Sequence, residues 1–196
     1  MNNTITSQTD EQLVTAFLGG DNDAFEALVY RYKNPLYQYI VGLVRDPGVA
    51  EDLFQEVFVS FFKQKERFEV RGKFKSWLFL AARNRVFNFF RDSKQPVSLD
   101  QTDEEGNAFL HDTLPDNEKL PLEQLTGAET EAQIRAAAEQ LPARQRELIY
   151  LRADFSFKEI AEMVGRPIGT VLADCHRAMQ KMQEILTAQQ NAEETL

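Results

Sequence analysis

Apolar residues recur every three to four positions in both halves of this 196-residue chain, and that spacing predicts amphipathic helices. Between the halves, residues 95–126 contain three Pro and show no sustained apolar spacing. Only nine Gly and seven Pro occur in the whole chain, which is few for a protein built of strands and tight turns. The fold is therefore predicted to be all-α, with two small helical domains joined by a flexible linker.

The predicted domains span residues 1–94 and 127–188, with the linker at 95–126 and a frayed tail at 189–196. Four helices fit the apolar spacing of each domain. Hydrophobic residues make up 43% of the chain, which is enough for a packed core.

Three local signals refine the helix boundaries of the first domain. Asp10 is expected to cap the first helix, because an Asp side chain accepts hydrogen bonds from the N–H groups at a helix start. Pro35 is expected to bend or interrupt the second helix, because proline has no N–H to donate. The Asp-Pro-Gly sequence at 46–48 is expected to form a turn before the third helix.

The charge of the chain is sharply segregated. Its net charge of −9 would by itself oppose binding to nucleic acid. Residues 61–94, however, carry ten basic residues against three acidic ones: Lys63, Lys65, Arg67, Arg71, Lys73, Lys75, Arg83, Arg85, Arg91 and Lys94. Residues 95–131 carry ten acids and a single Lys. An acidic chain with a local basic patch can still bind a polyanion through that patch.

Several classes of protein are disfavoured by what the sequence lacks. Its polar start has no apolar signal segment, and no run of 18 apolar residues predicts a membrane span. The single Cys175 fits a reducing cytosol and is expected to face a core. His111 and His176 are isolated, so no metal site is predicted, and no motif indicates a cofactor or catalysis.

The second domain contains a helix-turn-helix pattern. Ala161 supplies the small residue of the first helix, and Gly165 follows four residues later in the turn. Ile160, Val164 and Val171 are the apolar residues expected to hold the two helices together. An ordinary αα-hairpin is the alternative interpretation of this segment.

Two segments together resemble the extracytoplasmic-function group of bacterial RNA polymerase sigma factors. The first, AEDLFQEVFVSFFKQKERFEVRGKFKSWLFLAARNRVFNFFRDSK at 50–94, is similar to region 2 of that family. The second, LPARQRELIYLRADFSFKEIAEMVGRPIGTVLADCHRAM at 141–179, is similar to region 4. The resemblance implies a non-catalytic initiation factor in the cytoplasm, which docks on core RNA polymerase, recognises a −10-like promoter element and melts it.

The chemistry of the basic stretch agrees with promoter melting. Opening DNA requires cations for the phosphates and aromatic or small polar groups for the unstacked bases, and this stretch interleaves both. On the fourth helix, Trp77, Leu80 and Phe87 are expected to pack inward. By resemblance, the loop from Arg67 to Lys75 captures a flipped base. The predicted −10 DNA-binding residues are Arg67, Phe68, Arg71, Lys73, Phe74, Lys75, Arg83, Asn84, Asn88 and Arg91.

An acidic turn of the third helix is the predicted polymerase-binding site. Acids and apolar residues alternate there, as in an interface with an apolar centre and a charged rim. A solvated acidic face is the other interpretation. By resemblance, this turn docks on the β′ clamp of the polymerase through Asp52, Leu53, Phe54, Gln55 and Glu56.

The recognition helix has an acid where a base-reading cation is expected. The predicted −35 DNA-binding residues are Lys158, Arg166, Thr170, Leu172, Ala173, His176, Arg177 and Lys181, and Asp174 lies among them. If Asp174 faces DNA, either the −35 element is read weakly, or another DNA-bound factor recruits the polymerase while region 4 holds the β flap. The third interpretation is that Asp174 accepts a hydrogen bond from cytosine N4 and reads a normal but different −35 sequence. If the −35 element is read weakly, or if another factor recruits the polymerase, Asp174→Arg is expected to raise the affinity for duplex DNA.

Two rival functions remain open on the sequence. A helix-turn-helix regulator would bind duplex DNA without polymerase, although the segment AEDLFQEVF argues against it. A sigma mimic would occupy an anti-sigma factor and never touch a promoter, although the intact basic and aromatic stretch argues against that.

Overall fold

The computed structural model describes residues 8–65, 68, 73–93 and 131–193, and these residues form eight helices and no strand. The all-α class predicted from the apolar spacing is confirmed. The chain divides into two compact units, one within residues 1–96 and one within residues 97–196. The predicted linker at 95–126, with His111, lies outside the described residues, as do Arg67 and Arg71.

The first unit contains four helices, which are α1 (Asp10–Leu18), α2 (Asn22–Val44), α3 (Pro47–Gln64) and α4 (Phe74–Asp92). The long helices α2, α3 and α4 pack on one another, and α1 lies against α2 and α4. Aromatic rings fill the core where these helices meet. Phe61 is fully buried, and its ring centroid lies 4.9 Å from that of Phe74 and 5.3 Å from that of Phe17.

Thr9, not Asp10, caps the first helix. The Thr9 hydroxyl accepts a hydrogen bond from the Gln12 backbone N–H, and the Gln12 side chain accepts one from the Thr9 N–H. Asp10 instead forms an ion pair with Arg31 and accepts a hydrogen bond from the Tyr32 hydroxyl. The prediction failed because this carboxylate has partners 21 and 22 residues away, which local sequence does not reveal.

The structure differs in part from the predictions made at the two prolines of the first unit. Helix α2 continues through Pro35 to Val44, so the proline does not interrupt it. The segment predicted as a turn at 46–48 is the start of α3. Asp46 caps this helix by accepting hydrogen bonds from the N–H groups of Gly48 and Val49, and Pro47 occupies the first turn, where no N–H is needed.

The second unit also contains four described helices, which are α5 (Glu131–Glu139), α6 (Ala143–Arg152), α7 (Phe157–Val164) and α8 (Ile168–Glu193). Helix α8 packs against the other three. It continues to Glu193, past residue 188 where the sequence indicated a frayed tail. Ala178, Met182 and Leu186 of α8 are buried against Ala137 and Leu141, so packing holds this helix as far as Leu186.

Candidate polymerase and DNA interfaces

The acidic turn of α3 presents its polar residues to solvent. Asp52, Gln55 and Glu56 are exposed, as a polymerase-binding surface requires. Leu53 is buried, so its inclusion in that surface was wrong: it points into the core of the unit. Phe54 is half-buried, with its ring centroid 5.1 Å from that of Phe58.

The α3 surface has an apolar component and a basic neighbour that the sequence interpretation did not assign. Val59 is 48% exposed one turn beyond Glu56, and it lines a shallow groove with Asp52 and Gln55. Arg85 of α4 closes this groove, and its Nη1 donates a hydrogen bond of 3.0 Å to Glu56 Oε2. Because this contact joins residues 29 positions apart on two helices, no local sequence signal indicates it.

One side of α4 carries an exposed stripe. Asn84, Asn88 and Arg91 are spaced by four and three residues, which places them on one face of a helix, and all three are exposed. Leu80 extends this stripe by one turn and is 37% exposed, so the prediction that it packs inward was wrong. The residues that do pack inward include Leu78, Phe79, Ala82, Val86 and Phe90.

Arg83 lies beside the stripe rather than within it. Its guanidinium carbon sits 4.3 Å from the centroid of the Phe87 ring, in the geometry of a cation–π contact. Both side chains are half-buried. The ring therefore restricts the orientation of the cation next to the exposed amides of Asn84 and Asn88.

The aromatic residues that flank the basic loop belong to the core. Phe74 is only 3% exposed, so its assignment to a DNA-binding pocket was wrong: as the first residue of α4 it packs under Tyr32 and Phe61. Phe68 is half-buried, with its ring edge-on to those of Phe61 and Trp77 at 5.1 and 5.2 Å. These contacts pack Phe68 against the core of the first unit.

Two lysines beside this loop remain on the surface. Lys73 is exposed immediately before α4, and Lys75 is half-buried in its first turn. No side-chain hydrogen bond caps the start of α4 at Lys73.

The second unit forms the predicted helix-turn-helix. Ser156 and Glu159 make a capping box at the start of α7, and Gly165 ends α7 with φ of +67°, a left-handed conformation that favours glycine. Ile160 and Val171 are fully buried between α7 and α8. Of the predicted −35 residues, Lys158, Thr170, His176, Arg177 and Lys181 are exposed, whereas Arg166, Leu172 and Ala173 are half-buried.

Asp174 does not face DNA as an isolated acid, because three arginines surround its buried carboxylate. Arg177, one turn further along α8, donates a hydrogen bond to Oδ1. Arg166 in the turn places Nη2 2.7 Å from Oδ2, an ion-pair contact whose angle is not that of a hydrogen bond. Arg144 of α6 lies 3.6 Å from the same oxygen. The Asp174 side chain is only 9% exposed.

This arrangement overturns the expected effect of Asp174→Arg. A fourth guanidinium in place of the carboxylate would leave the three arginines without their anion and bring like charges together. We therefore expect the free energy of unfolding of the second unit to fall by about 2 kcal/mol, instead of a gain in duplex affinity. Thermal unfolding of the variant beside the wild type measures this, and an unchanged midpoint would contradict the burial of Asp174.

Cys175 is fully buried against the helix-turn-helix core, as the sequence predicted. Burial, together with the neighbouring Asp174 carboxylate, raises the pKa of its thiol from 9.0 to about 12. The thiol therefore stays protonated at pH 8, and the protonated form is a poor nucleophile. We expect iodoacetamide to leave the native protein unmodified at pH 8 and to alkylate it in denaturant. Rapid modification of the folded chain, measured by mass, would show that Cys175 is accessible.

Two family models match this chain. Residues 28–95 match sigma-70 region 2, and residues 131–182 match sigma-70 region 4. The first match includes the exposed faces of α3 and α4, and the second includes the helix-turn-helix with the arginines around Asp174. Together they cover more than half of the chain. The chain belongs to the sigma-70 family of RNA polymerase sigma factors.

Relatives place this sigma factor in the extracytoplasmic-function group. It is 30% identical over 166 residues to the ECF RNA polymerase sigma factor SigX of Bacillus subtilis, covering 83% of each chain. It is 29% identical to the RNA polymerase sigma-H factor of Pseudomonas aeruginosa, covering 93% of this chain and 96% of the relative. The sigma factor RpoE of Bartonella quintana, solved with the anti-sigma factor NepR, matches with a TM-score of 0.61 at 25% identity, covering 83% of this chain and 96% of RpoE.

As a member of this family, the sigma factor binds core RNA polymerase and directs promoter recognition and DNA melting in transcription initiation. The rival interpretation, a helix-turn-helix regulator that works without polymerase, does not account for the region 2 match. Among the described helices, none is long and apolar enough to cross a membrane.

Proposed function

We propose that the exposed α3 face, with Asp52, Gln55, Glu56 and Val59, docks on the β′ clamp of core polymerase. The acids form the rim of this surface and Val59 its apolar centre. Arg85 holds the Glu56 carboxylate in position, so part of the surface is ordered before the polymerase arrives. The observation that carries this proposal is a groove on the helix that the polymerase-binding motif predicts, where Asp52, Glu56 and Val59 are exposed beside the basic residues Lys63 and Arg85.

We further propose that α4 and the loop before it bind the −10 element. The stripe of Asn84, Asn88 and Arg91 offers two amides and a cation along one helix face, and Leu80 adds an apolar contact at its end. Amides and apolar groups suit unstacked bases, and cations suit phosphates. Arg67 and Arg71 of this loop remain proposed DNA-binding residues. Binding free energy for the flipped bases drives melting, because the chain supplies no chemical step of its own.

The helix-turn-helix is proposed to contact duplex DNA upstream, chiefly through phosphates. Thr170 is exposed and Ala173 is half-buried on α8, and both side chains are too short for the bidentate pairs that read bases, so few groups remain for base reading. Arg177, Lys181 and Lys158 are cations suited to phosphates. We infer that promoter choice rests mainly on the −10 element. The polymerase β flap or an upstream DNA-bound factor can assist the second unit.

An anti-sigma factor is a further proposed partner. The structurally similar RpoE was solved in complex with the anti-sigma factor NepR. The proposed setting is the cytoplasm, where polymerase acts, and no enzymatic activity is proposed.

Run-off transcription on randomised templates tests the division between the two DNA elements. Holoenzyme reconstituted from the sigma factor and core polymerase first selects active promoters from a randomised library. Each element of a selected promoter is then scrambled separately. We expect scrambling of the −10 element to remove nearly all transcript, and scrambling of the upstream element to lower it only severalfold. If scrambling the upstream element alone removed as much transcript, the proposal that the second unit contacts DNA chiefly through phosphates would be rejected.

A further inference from the structure

We infer that Asp174 is a positioning residue, which holds Arg144, Arg166 and Arg177 as one preformed cationic cluster for duplex phosphates. This inference rests on the proposed upstream DNA contact of the second unit. The three arginines come from three separate elements: α6, the turn of the helix-turn-helix, and α8. Their guanidinium groups meet at a single carboxylate, so its removal would release all three at once.

The net positive charge of the cluster favours the binding of an additional anion. One carboxylate faces three guanidinium groups, which leaves two positive charges uncompensated within the group. Arginine stays charged at any working pH, so the cluster cannot neutralise itself by losing protons. The only component that is almost fully buried is the acid, whereas the Arg177 side chain is 47% exposed. The negative charge is therefore inside the cluster and the positive charge outside.

The position of the cluster fits the phosphate backbone of DNA. Arg166 lies just before α8, where the N-terminal end of the helix adds a partial positive charge. Arg177 is one turn after Asp174, and Thr170 one turn before it, so the cluster borders the exposed face of the recognition helix. A guanidinium already fixed in orientation loses less conformational entropy when a phosphate binds it.

The variant Asp174→Asn distinguishes a positioning role of Asp174 from simple electrostatic repulsion between this acid and DNA. Neutralising an acid close to DNA should tighten binding if the acid merely repels phosphates. If Asp174 positions the arginines, the variant should instead bind a selected promoter duplex about tenfold more weakly, with a salt-dependence slope shallower by about 1. The loss should be equal on duplexes with an intact and a scrambled upstream element, because phosphates carry no sequence information.

The measurement is the affinity of reconstituted holoenzyme for the promoter duplex over a range of salt concentrations, well below the unfolding midpoint of each variant. Glu184→Gln is the matched control, because it removes one exposed acid from the same helix and should leave affinity and slope nearly unchanged. Binding to core polymerase should be equal for all variants. Equal or tighter DNA binding by Asp174→Asn would overturn the inference.

A double-mutant cycle shows whether Asp174 acts through Arg177. Arg177→Ala alone should weaken duplex binding about tenfold, and adding Asp174→Asn should cost much less than it does in the wild type. Full additivity of the two losses would reject the positioning role. No effect from Arg177→Ala would instead reject the proposed upstream contact itself, so the two failures are distinguishable.

Arg144→Ala provides a second test that leaves Asp174 in place. Two of the three cations still balance the carboxylate, so folding should survive even if Asp174→Asn unfolds the unit. The variant should lose duplex affinity severalfold, equally on intact and scrambled upstream DNA, whereas Arg135→Ala on α5 should not. Unchanged affinity in Arg144→Ala would exclude Arg144 from the cluster and overturn the inference as stated.

Discussion

Reversing the charge at Asp52 and Glu56 together, as Asp52→Arg with Glu56→Arg, is expected to abolish binding of the sigma factor to core polymerase. Both carboxylates are exposed on one side of α3, and the change alters the charge of the proposed docking surface by four units. Like charges juxtaposed across an interface cost several kcal/mol, enough to weaken binding by about a thousandfold or more.

The fold should tolerate this double reversal. Neither residue is part of the core, and the pair that is lost, between Glu56 and Arg85, is an exposed one of the kind that contributes at most about 1 kcal/mol. Circular dichroism and thermal unfolding check that the helices remain.

Affinity for core polymerase, measured by light scattering or size-exclusion chromatography, tests the docking surface. The matched control is Glu11→Arg with Glu26→Arg, two exposed acids on α1 and α2 that give the same change in net charge. We expect the control to bind nearly as the wild type does. If the Asp52 and Glu56 variant also binds normally, the α3 face is not the docking surface.

Removing the side chains of Arg83 and Asn84, as Arg83→Ala with Asn84→Ala, is expected to lower promoter opening about a hundredfold without affecting core binding. Asn84 lies within the exposed stripe of α4, and Arg83 is held beside it by the Phe87 ring. A contact to a base contributes roughly 1–3 kcal/mol, so two lost contacts account for an effect of this size.

Permanganate reactivity of unpaired thymines in the open complex measures the effect, with holoenzyme formation measured in parallel. Lys33→Ala with Asn34→Ala is a closely matched control, because it removes an exposed cation and a neighbouring exposed amide from α2. Opening that falls equally in both variants would mean that the α4 stripe has no specific role. Loss of core binding in the Arg83 and Asn84 variant would place these residues on the polymerase instead.

The sequence predicted the helices of both units well, because helical apolar spacing and its interruptions are local properties. Ile160 on α7 and Val171 on α8, for example, are buried as their spacing indicates. Cap and turn signals were less reliable, since the same residue types can cap a helix, form a turn or bind a distant side chain. Thr9 and Asp10 are both good caps, and the choice between them depends on Arg31 and Tyr32, which approach Asp10 from α2.

The largest error about the candidate sites concerns Asp174, and its cause is long-range packing. From the sequence, an acid on a recognition helix suggests repulsion of DNA. The structure places Arg144, 30 residues earlier, and Arg166 around the same carboxylate. Similarly, Leu53 and Phe74 carry apolar side chains within functional motifs, and only the packing of α3 and α4 shows that these two are core residues.

Run-off transcription with core polymerase tests the central claim of the account most directly. Templates carry a randomised upstream region, and the transcripts are sequenced. We expect the wild-type chain to direct core polymerase to initiate at defined sites that share a −10 element. Core polymerase alone, or with the Asp52→Arg and Glu56→Arg variant, should not initiate at such sites. A wild-type chain that binds core polymerase or an anti-sigma factor, yet yields no specific transcript from any template, would contradict the account and favour a protein-binding decoy.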